Sequence, residues 1–124
     1  MDIPILKNSK VDDRVHRTVV MIEDSDYKKL ALNELANNVA LSESRLQHIF
    51  KKQIGISIKR YMLWKRIIDG IKIIAGGTNF TFAAHKAGFA DSAHMSRTFK
   101  RMFGITLSDL FKNSSFVQVL IENS

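Results

Sequence analysis

Apolar residues recur at helical spacing along nearly the whole chain, and the runs break at residues that cap helices. Val11, Val15, Val19 and Ile22 share one helix face. Ser9 with Asp12 three residues on resembles a capping box, so a first helix is predicted over about residues 10–23. The polar stretch EDSDYKK reads as the connection after it. Leu32, Leu35, Ala36 and Val39 then mark a short amphipathic helix. Beyond Ala40-Leu41, Ser42 is a good N-cap for another, which carries Leu46, Ile49, Phe50 and Ile54 to a stop at Gly55. Two short helices across a tight turn are the material of a helix-turn-helix.

The pattern then repeats. Ser57 caps a longer helix, IKRYMLWKRIIDGIKIIA, in which Ile58, Tyr61, Met62, Ile67, Ile68, Ile71 and Ile74 are available for burial and which Gly76-Gly77 ends. Gly70 in its middle costs about 1 kcal/mol relative to Ala, so it marks close packing or a weak point. Phe80, Ala83, Ala84 and Ala87 repeat the spacing of Leu32, Leu35, Ala36 and Val39 at an offset of 48, with Gly88-Phe89 in the place of Ala40-Leu41. One extra residue in the turn GFAD moves the offset to 49, and Asp91 is placed to cap a helix ending at Gly104. Within it Met95, Phe99 and Phe103 face inward, and AHMSRTFKRMFG is nearly a second copy of SRLQHIFKKQIG. A short helix from about Ser108 to Lys112 precedes the tail NSSFVQVLIENS, where an edge strand over 116–121 is the alternative. The expectation is an all-α chain of about seven helices, built as two helix-turn-helix subdomains of homeodomain-like character. They span about 10–56 and 78–112 and are joined by a linking helix over 57–75; residues 1–9 are a tail or linker remnant and 113–124 a second tail.

Composition narrows the chemistry. A chain of 124 residues with 45% hydrophobic residues has the make-up of a globular protein. It has no cysteine, hence no disulfide or thiolate metal site, and His16, His48, His85 and His94 make no metal-binding pair. No metal or cofactor is implied. MDIPILKNSK carries an acid at position 2 and lacks the apolar core of a signal peptide, and no run approaches the eighteen or so apolar residues of a membrane span. A cytoplasmic chain without a membrane partner is expected. His85, Asp91 and His94 are close in sequence, but no nucleophile, base and orienting group recur in a recognisable order and no phosphate-cradling glycine loop occurs, so an enzyme is not expected.

Net charge is +7 and unevenly placed: residues 1–41 hold six Lys/Arg against seven Asp/Glu, residues 42–124 thirteen against five. The later part suits a polyanion, although a solvated basic face has the same composition. The second helix of a helix-turn-helix can enter the DNA major groove. Two such helices reading neighbouring groove segments sit about 34 Å apart, and the eighteen residues from Ile58 to Ala75 span roughly 27 Å. On the first recognition helix, about 42–55, Ser44, Arg45, Gln47, His48 and Lys51 point away from the apolar face. Gln can bond adenine bidentately and Arg guanine, whereas His offers one donor or acceptor per edge. Gln47 is a base reader or a solvated side chain, His48 a base or a phosphate contact, and Arg45 a phosphate partner. On the second, about 91–104, Ser92, Ala93, His94, Ser96, Arg97 and Lys100 lie outside. Arg97 is the residue best suited to base readout, with an ion pair as its alternative, and His94 can be a packing residue. Lys51, Lys52, Lys86, Lys100 and Arg101 are candidates for phosphate neutralisation or for solvated charge.

From about Val11 to Phe111 the chain resembles the AraC/XylS family of bacterial transcription regulators. The most specific part is AGFADSAHMSRTFKRMFGIT, similar to the family signature of Gly-Phe, a polar residue, Ser, an apolar residue, Ser-Arg, Phe-Lys and Gly-x-Thr. LALNELANNVALSESRLQHIFKKQIGIS matches the corresponding first half through Leu35-Ala36, Ser42, Leu46 and Phe50-Lys51, while Tyr61 and Arg66 match the family's linking helix. The chain departs from the pattern where Ile58 and Leu107 replace prolines, Leu110-Phe111 a Tyr-Arg pair, and Gly70 an alanine. The resemblance implies sequence-specific regulation through double-stranded DNA, with base contacts at Ser44, Gln47, His48, Ser92, Ala93, Ser96 and Arg97. RNA polymerase is a further partner to consider, and surface residues of the linking helix such as Lys65 or Asp69 could meet it, although nothing in the sequence singles them out. No small-molecule ligand is implied for this chain. Many family members carry a separate sensing domain, so a small stand-alone regulator and a C-terminal part of a longer chain are both compatible with the sequence. The alternative from another class is a helical protein-interaction module with weak DNA binding.

Overall fold

The computed structural model describes residues 10–24, 30–112 and 121–122. Among them are seven helices and no strand: α1 (Asp13–Asp24), α2 (Leu32–Asn38), α3 (Glu43–Ile54), α4 (Ile58–Ala75), α5 (Phe80–Lys86), α6 (Ser92–Phe103) and α7 (Leu107–Phe111). The chain divides into two compact units, Met1–Trp64 and Lys65–Ser124, with the boundary inside α4.

In the first unit α1 contributes Val15, Val19 and Ile22 to a core completed by Leu35 and Ala36 of α2, Val39, Leu46 and Phe50 of α3, and Ile58 and Tyr61 from the start of α4. Tyr61 meets Phe50 edge-on, with centroids 5.8 Å apart at 80°. Its hydroxyl donates to Glu23 Oε1 at 2.5 Å and so ties α4 to the end of α1. Burial first, and then the hydrogen bond and charge of Glu23, push the Tyr61 phenol far above its ordinary value, keeping it a neutral donor. Thr18, also buried, donates to the Arg14 carbonyl at 2.8 Å, which satisfies a hydroxyl inside the α1 face.

The second unit repeats this plan from different parts. Its buried apolar residues include Ile67, Ile68 and Ile71 of α4, Ala83 and Ala84 of α5, Ala87 and Phe89 after it, Met95 and Phe99 of α6, and Leu107 and Leu110 of α7. α4 therefore works twice: its first turn closes the first core as α7 closes the second, and its later turns serve the second core as α1 serves the first. Gly70 has the close-packing role of the two expected for it. A Cβ there would lie 2.8 Å from Met95 Sδ and 3.4 Å from the Ala87 Cβ, so Met95 occupies the room that a side chain at 70 would need.

The caps explain where helices begin. Ser57 Oγ accepts from Arg60 N at 3.1 Å and Thr106 Oγ1 from Asp109 N at 3.0 Å. Ile58 and Leu107, which stand in proline positions of the family pattern, are thus the first residues of capped helices and bury their side chains to 3% and 2% exposure. α7 begins at Leu107, one residue before the expected Ser108, because the Thr106 cap takes the preceding place. α1 begins at Asp13, later than the expected residue 10: Asp12 Oδ1 accepts from Arg14 N at 2.8 Å and marks its start. The capping role expected of Ser9, the tail over 1–9 and most of the connection 23–29 lie outside the described residues, as do 113–120 and 123–124 of the C-terminal tail. Ile121 and Glu122 are helical, so the last residue of the alternative strand over 116–121 is not extended.

Candidate nucleic-acid interface

Each unit presents one helix whose inner face is apolar and whose outer face is polar and basic. In α3 the Ser42 side chain accepts from Arg45 N at 3.1 Å, and the chain leaves through Gly55 at φ +95°, in the left-handed region that glycine adopts without strain. Leu46 and Phe50 are buried and Ile49 is half-buried, which turns Ser44, Arg45, Gln47, His48, Lys51 and Lys52 to solvent. In α6 Asp91 Oδ1 accepts from His94 N at 2.7 Å and Gly104 ends the helix at φ +79°. Met95, Thr98 and Phe99 are buried. Ala93, His94, Arg97, Lys100 and Arg101 are exposed, whereas Ser92 and Ser96 are only half-exposed.

The outer faces differ in reach. On α3, Gln47 and His48 project side chains long enough to bond a base edge, beside Ser44 and Arg45. The matching positions of α6 are Ser96, Arg97, Ala93 and His94, of which Arg97 alone combines length with several donors. The His94 ring lies edge-on to Phe89, with centroids 5.4 Å apart, in keeping with the packing role allowed for it. Phe103, expected to face inward, is half-buried and stacks on Phe99 at 4.6 Å. Thr98 goes inward unexpectedly, because its hydroxyl is satisfied by the His94 carbonyl at 2.9 Å. Lys86 of α5 lies 5.9 Å from the centroid of the exposed Phe82 ring. Lys65 pairs with Asp69 at 3.0 Å along α4.

The first unit also contains an open groove of about 520 Å³ lined by Arg14, Leu41, Ser44, Arg45, His48, Ile49 and Lys52. It brings together four of the expected contact residues, Ser44, Arg45, His48 and Lys52; Gln47 and Lys51 are exposed on the same helix without lining it. Arg14 is the member that sequence reasoning missed. Its Nε and Nη2 donate to the two oxygens of Asp12 at 3.0 and 2.8 Å, and the Asp12 N–H donates to Gln53 Oε1 at 2.8 Å near the end of α3. This hydrogen-bonded arginine holds the Asp12 carboxyl down at about 2. The available signal was the Asp-x-Arg spacing at the start of a helix.

Among the described residues no group of three or more His, Asp and Glu could hold a metal ion, and no helix is long and apolar enough to cross a membrane. A family model described as a helix-turn-helix domain matches residues 35–113. The chain is 28% identical over 111 residues to the transcriptional regulatory protein HptR of Staphylococcus aureus, a match covering 90% of this chain and 44% of HptR. It thus spans less than half the length of the curated relatives it matches. Two solved structures share the fold. The C-terminal domain of AraT, a response regulator from Geobacillus stearothermophilus, superposes with a TM-score of 0.70 at 19% identity, over 82% of this chain and 85% of that one. An AraC-type transcriptional regulator from Chromobacterium violaceum does so with a TM-score of 0.70 at 21% identity, over 78% and 88%.

Proposed function

The chain belongs to the AraC-type helix-turn-helix family, and on that premise we propose that it is a sequence-specific DNA-binding regulator of transcription, with α3 and α6 as its two recognition helices. The observation that carries this is the pair of capped helices at an offset of 49 residues, each with a polar, basic face left open by its own core. A helix of this kind fits the major groove, where each base pair presents its own donor and acceptor pattern.

The two helices enter successive major-groove segments on one face of the duplex. Gln47 and His48 read bases from α3, with Ser44 beside them. Arg97 reads from α6, while Ser92, Ala93 and Ser96 are short enough to offer only a thymine-methyl contact or a water bridge. Arg45, Lys51, Lys52, Lys86, Lys100 and Arg101 neutralise phosphates and supply affinity without sequence information. The first unit therefore specifies more, while phosphate contacts come from both units. A DNA partner puts this work in the bacterial cytoplasm at the nucleoid.

Selection of bound duplexes from a random pool, followed by anisotropy titrations over a range of salt, tests the proposal. An enriched site, bound more tightly than random duplex at every salt concentration, is the expected result. Binding without enrichment, or binding to a protein partner that ignores competing DNA, would overturn it.

A further inference from the structure

We propose that the groove between α1 and α3 of the first unit is a seat for one DNA backbone phosphate, with Arg14 of α1 as its fixed donor opposite Arg45 and Lys52 of α3. This rests on the DNA-binding reading above and adds a residue, and a helix, to its contact set.

Three observations meet at the groove. Its lining carries three permanent cations, Arg14, Arg45 and Lys52, together with His48 and the hydroxyl of Ser44, a donor set suited to a singly charged phosphodiester. It shares Ser44 and His48 with the exposed face of α3, so an anion seated there borders the groove segment that α3 faces. The third is how Arg14 is held. The Asp12 carboxylate grips one edge of its guanidinium through Nε and Nη2, which fixes the plane and leaves three of its five N–H donors unused by that pair. Asp12 is itself bonded through its N–H to Gln53 of α3. The Arg14 side chain is 42% exposed, so the free edge is open to solvent.

An arginine locked in this way has already lost the side-chain freedom that phosphate binding would otherwise remove. Since Arg14 comes from a different helix than the base readers, a phosphate held between it and Arg45 or Lys52 sets the rotation of α3 in the groove. Phosphate contacts fix register in this manner while carrying no sequence information.

The test compares wild type with Arg14→Met, which removes the charge, and Arg14→Lys, which keeps it but loses the fork to Asp12. Affinities are measured on the selected site and on random duplex across a salt series. Arg14→Met is expected to bind both DNAs about tenfold more weakly and to lower the slope of log K against log salt by about one. Arg14→Lys is expected to retain the slope. Duplexes carrying a neutral methylphosphonate at one position after another locate the partner: one substitution should weaken wild type and leave Arg14→Met unaffected. If Met and Lys variants lose affinity alike, or no methylphosphonate separates wild type from Arg14→Met, Arg14 is only an ion-pair partner that orders α1. Wild-type protein that binds no DNA would overturn both this inference and the function proposed above, whereas wild-type binding that Arg14→Met leaves unchanged would overturn this inference alone.

Discussion

The two units use one plan with different materials, and each difference has a physical cost. The position that closes the core after the recognition helix is Tyr61 in the first unit and Leu110 in the second, again 49 residues apart. Tyr61 brings a hydroxyl that must be satisfied, and Glu23 satisfies it; Leu110 brings nothing to satisfy. The large ring of each recognition helix is also supported differently. Phe50 packs against the tethered Tyr61, whereas Phe99 stacks on the half-buried Phe103. In the tight turn, Ala40 is forced to φ +57° where the second unit has Gly88 at φ +89°. The first unit thus carries a tyrosine tether in its core and a strained alanine in its exposed turn, and its α3 presents more of the side chains proposed to read bases.

Core truncation should separate the units most widely. Phe50→Ala and Phe99→Ala are each expected to cost about 3–5 kcal/mol, with Phe50 at the upper end because Phe103 can move into the space left by Phe99 while Tyr61 is held by Glu23. Denaturant unfolding of the two variants checks the order; equal losses would mean that the tether does not limit relaxation. Next in size are the contacts to bases. Gln47→Ala and Arg97→Ala should each cost about 1–3 kcal/mol on the selected site and little on random duplex. A uniform loss on all sequences would turn either residue into a phosphate contact.

The turns give a pair of opposite sign. Gly88→Ala should destabilise by about 1–2 kcal/mol, the cost of placing a Cβ in the left-handed region. Ala40→Gly should stabilise by about 0.5–1 kcal/mol, since relief of strain exceeds the entropy glycine adds to the unfolded chain. Thermal unfolding of both variants reads this directly.

Tyr61→Phe should cost about 1 kcal/mol at neutral pH by removing the bond to Glu23. It should also change the response to alkali. The folded phenol is held above the unfolded value of 10.0, so this stabilisation is complete below pH 10 and is lost as pH rises beyond it. The loss should be smaller in the Phe variant. The smallest effect lies at the other end of the scale. Asp12 falls from an unfolded value of 3.8 to about 2, so its contribution is complete above pH 4 and fades as pH drops toward 2. Asp12→Asn should flatten that part of an acid titration, and an unchanged curve would show that the exposed pair with Arg14 adds nothing to stability.

Much of this comparison was legible in the sequence. The caps Ser42, Ser57 and Asp91 and the stops Gly55 and Gly104 follow from local rules, because a cap or a left-handed glycine acts within one turn of helix; at Gly70 the sequence leaves close packing and a weak point open, and Met95 decides between them. The outward face of α3 followed from the same periodicity. Misjudged positions depend on contacts between elements or on hydrogen bonds that periodicity does not register. Thr98 goes inward because a carbonyl one turn back accepts its hydroxyl, and Ser92 and Ser96 are less exposed than their polarity suggests. Arg14 escaped notice because its place in the groove is set by where α1 packs on α3, and no spacing in the chain encodes that.

The unequal division of labour proposed for α3 and α6 can be tested in one experiment: selection of binding sites from a random pool with wild type, Gln47→Ala and Arg97→Ala in parallel. The expected outcome for wild type is a site with two sequence elements about one helical turn apart. The more strongly constrained element should change with Gln47→Ala and the weaker one with Arg97→Ala. A single element that both substitutions alter, or two elements that neither alters, would contradict the assignment of one groove segment to each unit.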